Sequence, residues 1–144
     1  MRKFSLLVLA LLALTVAVAV PAQANNKPGN KCQPIAVSFV VSGTVVSGAL
    51  TRDAAPAKTH SGTLMVHVTV TNSAAAAVKG LTETYTLTHA HVSFAVGVNR
   101  TAPAVGSRVN LKGTITTLAP KCSLTGFTPT IVIKKVEIRR AKTH

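Results

Sequence analysis

Between residues 63 and 71 apolar and polar side chains alternate without a break. Leu64, Val66, Val68 and Val70 fall on one parity, and Met65, His67, Thr69 and Thr71 on the other. Successive side chains of a strand point to opposite faces, so this period of two predicts a half-buried antiparallel strand. Four more runs rich in Val, Thr and Ile, set apart by Gly, Pro, Ser, Asn or Ala stretches, read as strands as well. In the first, about 35–50, Val37, Phe39, Val41 and Val45 share a face with Gly43 between them, and the parity is mixed beyond Val45. A bend near Gly43 or Gly48 would account for the change. The run 82–96 begins with Tyr85 and Leu87 on one parity and ends with Val92, Phe94 and Val96 on the other, which calls for a bulge around Thr88 to His91. The run 108–118 sets Val109, Leu111 and Ile115 against Asn110, Lys112 and Thr114. In 130–140, Val132, Val136 and Ile138 share a parity that Lys134 interrupts. No segment has a helical period. Ser73–Val78 (SAAAAV) has the propensity for one turn, yet is too short to be stable alone.

The fold class expected is therefore all-β. Five strands suit a small barrel, which disposes of its sheet edges by closing; the alternative is a β-sandwich. Ahead of the strands, MRKFSLLVLALLALTVAVAVPAQA has a basic start at Arg2 and Lys3, an apolar run from Phe4 to Val20, and small residues before a cut after Ala24. This three-part pattern predicts a cleaved signal peptide, 1–24, rather than a membrane anchor, since the run is short for a bilayer core of about 30 Å. Residues 25–144 would then form a single β-barrel domain that is secreted or held in the cell envelope, without stable membrane insertion, and Arg139 to His144 would leave it as a short basic tail.

Charge narrows the picture further. The whole chain carries +13, and without Arg2 and Lys3 fourteen basic residues face only Asp53, Glu83 and Glu137, which leaves +11. Such an excess speaks to attraction for polyanions, not to fold. The candidate polyanion-binding residues are Arg52, Lys58, Lys121, Lys134, Lys135, Arg139, Arg140 and Lys142. Base stacking needs aromatic platforms beside such charges. Phe39 and Phe94 lie on core parities, so only Tyr85 and Phe127 remain to serve. Catalysis is poorly provided for. Three scattered carboxylates do not make the facing pair of a glycosidase, and no G-x-S-x-G is present. No catalytic residue and no cofactor is expected. His89-x-His91, with His67 as a third ring if the second and third strands pair, is the one pattern with metal-ligand chemistry. No metal site is assigned to it, because the bulge expected nearby would point these rings into solvent.

Cys32 and Cys122 are the only cysteines, and in an exported chain they predict one disulfide. They lie just before the first strand and just after the fourth, and become neighbours if those strands pair antiparallel.

Three stretches carry a resemblance. VSGTVVSG (Val41 to Gly48), VGSRVNLKGTIT (Val105 to Thr116) and IVIKKVEI (Ile131 to Ile138) look like the first, fourth and closing strands of small secreted bacterial OB-like (oligonucleotide/oligosaccharide-binding-fold) domains of unknown function. The resemblance implies a five-stranded barrel in which the first and fourth strands pair. Ser107 stands where that family usually has an acidic residue, and the link 97–107 is too short and too rich in Pro and Gly for the helix many OB folds place there. The functional expectation is an exported, non-catalytic barrel that binds anionic polymers non-specifically, either a cell-wall polymer or extracellular nucleic acid. The alternatives are a structural or protein-interaction module of the envelope with an unspecified partner, and a histidine-based metal-binding protein.

Overall fold

The computed structural model describes residues 32–143; the expected signal peptide lies outside them. Five strands make up the fold: β1 (Ile35–Arg52), β2 (His60–Thr71), β3 (Thr82–Phe94), β4 (Arg108–Thr117) and β5 (Ile131–Arg139). They close into a barrel in the order β1-β2-β3-β5-β4. Neighbours run antiparallel except β3 and β5, which run parallel. The protein is thus all-β, with the closed OB-like arrangement. Ser73–Val78 forms a short 3₁₀ helix between β2 and β3 and buries Ala75. Asn72, just before it, accepts from the Val40 amide and donates to the Ser38 carbonyl, so its side chain extends the β1 edge.

The interior is filled by the parities the sequence shows. Phe39, Val41 and Val45 from β1, Leu64, Val66 and Val68 from β2, Tyr85 and Leu87 from β3, and Val109 and Leu111 from β4 are all buried. Phe39 and Tyr85 pack with ring centroids 6.1 Å apart. The change of parity in β3 is a bulge. His60 faces Ala90 while Gly62 faces Leu87, and His89 takes the left-handed φ of +51°. Two residues then oppose one, and the inward set switches from Tyr85 and Leu87 to Ala90, Val92 and Phe94.

Four apolar side chains depart from the expected pattern. Val70 is exposed although it continues the Leu64–Val68 parity, because the β1–β2 register shifts at Ser42/Gly43 and a one-residue slip turns the strand over. Val96 is exposed because β3 ends at Phe94 and Val96 lies in the following turn. In β5, Val132 is exposed and Ile133 buried, the reverse of the expected parity. Lys112 faces Lys135 and Gly113 faces Ile133, which leaves Lys134 as the extra residue of a bulge. Lys134 therefore points outward beside Lys135 instead of interrupting the core face. Gly113 makes this possible: a Cβ there would run into the Val132 carbonyl.

The link between β3 and β4 forms no helix. It runs beside the second half of β1, which β4 does not reach. The amide of Val45 donates to Ser107 O at 2.8 Å, that of Gly106 to Val45 O at 2.8 Å, and that of Leu50 to Thr101 O at 2.8 Å. The free β1 edge is covered in this way.

Cys32 and Cys122 are bonded, with Cα atoms 5.5 Å apart and a sequence separation of 90. The β1–β4 register explains their meeting, since Ile35 faces Thr117 and the two chain ends leave the barrel side by side. Closing a loop of that length stabilises by about 4 kcal/mol in the chain-entropy model. A Cys32→Ser/Cys122→Ser variant should lose most of that amount in chemical denaturation, and thiol labelling of the native protein should find no free sulfhydryl. The β5 bulge gives a second expectation. Ile133→Ala should cost about 2–5 kcal/mol, whereas Val132→Thr should change stability by less than about 0.5 kcal/mol. Equal costs would place the bulge elsewhere.

Candidate polyanion-binding surface

Arg108, Asn110 and Lys112 of β4 point outward, as do Lys135, Glu137 and Arg139 in the second half of β5. The antiparallel register sets Arg108 opposite Arg139, Asn110 opposite Glu137 and Lys112 opposite Lys135. Like charges directly opposed on one face of a sheet repel, at a cost of a few tenths of a kcal/mol or more for each pair. Two such pairs flank a single carboxylate. Glu137 accepts from the Arg139 guanidinium at 2.8 and 2.5 Å. The hydrogen bonds from Arg139 are the main reason its carboxyl is held below the usual range, and Lys112 and Lys135 lower it further. One acid thus answers a ring of cations. Asn110 donates to the Ser42 hydroxyl at 2.6 Å and continues the polar row onto β1.

The chain after β5 stays against this face. Arg108 Nε donates to the Arg140 carbonyl at 3.3 Å. The Arg140 guanidinium lies over Gly97, where a Cβ would strike it. Lys142 lines a groove of about 570 Å³ with Arg108, Lys112 and Arg139. Arg139 is the last residue of β5, so the expected tail begins one residue later, and 140–143 follow as exposed chain.

Of the predicted residues, Lys135, Arg139, Arg140 and Lys142 come together here. Lys134 points outward at the β5 bulge, and Lys121 lies exposed in the β4–β5 loop with a φ of +75°. Arg52 and Lys58 lie apart, in a cleft at the end of β1 and β2. Arg108 and Lys112 were missed as site residues. Their signal was present, since both fall on the outward parity of 108–118, but only the register reveals which cations face them. Tyr85 is no stacking platform. It points inward and is buried, and the desolvation of its hydroxyl, with a smaller contribution from Glu83, pushes its pKa up to about 12. Phe127 is half-buried in the β4–β5 loop.

The three histidines go to three different places. His67, on the outside of β2, is 3.3 Å from the Thr82 hydroxyl. His91 faces Lys135 across the β3–β5 pair, a cation that disfavours a metal there. His89 Nδ1 is 3.0 Å from Asp53 Oδ2. Among the described residues no group of three His, Cys, Asp or Glu side chains is placed to hold a metal.

Asp53 anchors a hydrogen-bond network at the start of the β1–β2 loop. It accepts from the Thr59 hydroxyl at 2.5 Å and the Ser61 hydroxyl at 2.7 Å, and Ser61 Oγ accepts from the His89 amide at 3.1 Å. The β1–β2 loop is thereby tied to the β3 bulge. Ser, His and Asp all meet here, yet the serine proton is directed to the carboxylate and not to the imidazole, which is not the relay that activates a nucleophile.

No family model matches this chain, and no curated protein or solved structure matches it either. The disulfide marks an oxidising, extracytoplasmic setting. No helix among the described residues is long and apolar enough to cross a membrane.

The Asp53 network predicts a pH dependence. Hydrogen bonds from Thr59, Ser61 and then His89 lower its pKa from 3.8 to about 2. A carboxyl depressed in the folded state contributes stability above its unfolded pKa and loses it as the pH falls through the folded one. The stability of the native protein should therefore decline between about pH 4 and pH 2, and Asp53→Asn should lower it at neutral pH and flatten that decline. Urea denaturation across this range checks both.

Proposed function

We propose that this is an exported, non-catalytic OB-like barrel that binds anionic polymers of the cell envelope or extracellular space through the β4–β5 face. The observation that supports this most is the pair of opposed cations, Arg108 with Arg139 and Lys112 with Lys135, around the single acid Glu137. Such a surface lowers the stability of the free fold through self-repulsion and gains from any partner that supplies negative charge. Export rests on the N-terminal sequence and accords with the disulfide. The likeness of three strand sequences to small secreted bacterial OB-like domains accords with it too. The affinity would be electrostatic and tolerant of sequence, because neither β4 nor β5 carries an aromatic side chain to stack on a base.

Binding of this kind releases counterions, so affinity falls as salt rises, and each cation removed from the interface lowers the slope of log K against log salt by about one. Lys135→Gln and Arg139→Gln should each weaken binding to a single-stranded oligonucleotide, and together they should reduce the slope by about two. Replacing Lys79, an exposed cation outside this face, should leave the slope unchanged. If all three variants behave alike, the β4–β5 face is not the binding element, and a protein-interaction role for the barrel is favoured.

A further inference from the structure

Arg52 and Lys58 lie away from the β4–β5 face. With Arg100 they rim a cleft of about 320 Å³ floored by His60 and Phe94. These cations come from three separate segments: Arg52 from the end of β1, Lys58 from the β1–β2 loop and Arg100 from the β3–β4 link. None belongs to β4 or β5. No carboxylate lines the cleft; the nearby Asp53 is already committed to Thr59, Ser61 and His89.

Hydrogen bonds within the chain fix the turn at the edge of the cleft. Asn99 Oδ1 accepts from the Thr101 amide at 2.9 Å, the Thr101 hydroxyl at 3.0 Å and the Ala102 amide at 3.1 Å, which fixes the turn that presents Arg100. The Leu50 amide ties the same turn to β1 through Thr101 O. The His60 ring meets Phe94 edge-on, with centroids 5.3 Å apart, and its buried Nδ1 has no hydrogen-bond partner. Guanidinium groups and an ammonium converging on one small cleft suit a tetrahedral oxyanion, since a guanidinium matches its paired oxygens and an ammonium supplies a point charge.

We propose that this end cleft is a discrete binding site for a phosphate or sulfate group, and that His60 takes up a proton when the anion enters. The proton uptake follows from the surroundings of the ring. Burial chiefly disfavours the imidazolium, and the charges of Arg52 and Arg100 disfavour it further, while Asp53 opposes them. Lys58 is the remaining charged group lining the cleft. A bound dianion offsets the arginine charges, so the bound state holds the His60 proton more firmly than the free state. Linkage then makes binding tighter as the pH falls.

Sulfate is the suitable probe, because it stays a dianion from pH 5 to 8 and any pH dependence must come from the protein. Calorimetric titration of the disulfide-bonded protein with sodium sulfate, at constant ionic strength in chloride, should show saturable one-site binding. Arg100→Gln and Lys58→Gln, both at exposed positions, should each weaken it about tenfold, in line with the loss of one charge-assisted hydrogen bond. Lys135→Gln and Arg139→Gln should leave it unchanged, which separates this site from the β4–β5 face. Affinity should be several-fold higher at pH 5 than at pH 8, and His60→Gln should abolish that difference. Methyl phosphate and methyl sulfate, titrated in parallel, identify which ester the cleft prefers, and either preference upholds the site. Non-saturable binding, or equal losses from all four charge variants, overturns the site. A pH dependence that persists in His60→Gln overturns the role of the histidine.

Discussion

The whole barrel depends on one strand serving two neighbours. β1 pairs with β4 through Thr44 and with β2 from Val41 to Arg52. Only a strand that turns sharply near its middle can do both and close the sheet. The turn is made where the β1–β2 register slips, at Ser42/Gly43 and Val45/Ser47. Gly43 permits it, because any Cβ there would collide with the His67 carbonyl of β2. From this bend follow the closed interior, the free edge that the β3–β4 link covers, and the meeting of Cys32 with Cys122 beside the β1–β4 pair.

The same closure distributes the charge. Inward positions are apolar, so the basic residues of a chain with three acids are pushed onto the outer face and the barrel ends. On β4 and β5 the register opposes them directly, and the one nearby acid is taken by Arg139. An exposed ion pair of this kind contributes little to stability. The excess charge is therefore a property of the surface and not a support of the fold, and the core and the disulfide must hold the barrel together against it. The two basic regions also differ in kind. The β4–β5 face is open and extended, whereas the end cleft gathers three cations from three loops and strand ends around a partly buried histidine.

The strands, their number and most of their inward faces were legible in the sequence, because a pleated strand with one wet face must alternate. The β3 bulge was legible for the same reason, as the apolar parity changes between Leu87 and Val92 and a bulge is the cheapest way to change it. The single disulfide followed from having two cysteines in a chain whose N-terminal sequence reads as an export signal. Periodicity could not show which half of β1 meets which partner, nor that Lys134 is the unpaired residue of a bulge that buries Ile133 in place of Val132. It also could not bring Arg108 to Arg139, Asp53 to His89, or Arg52 to Arg100. These are pairings between distant segments, and they depend on register, bulge position and the path of a loop. Each is set by close backbone contacts in three dimensions, such as those at Gly43 and Gly113, which leave no periodic trace along the chain.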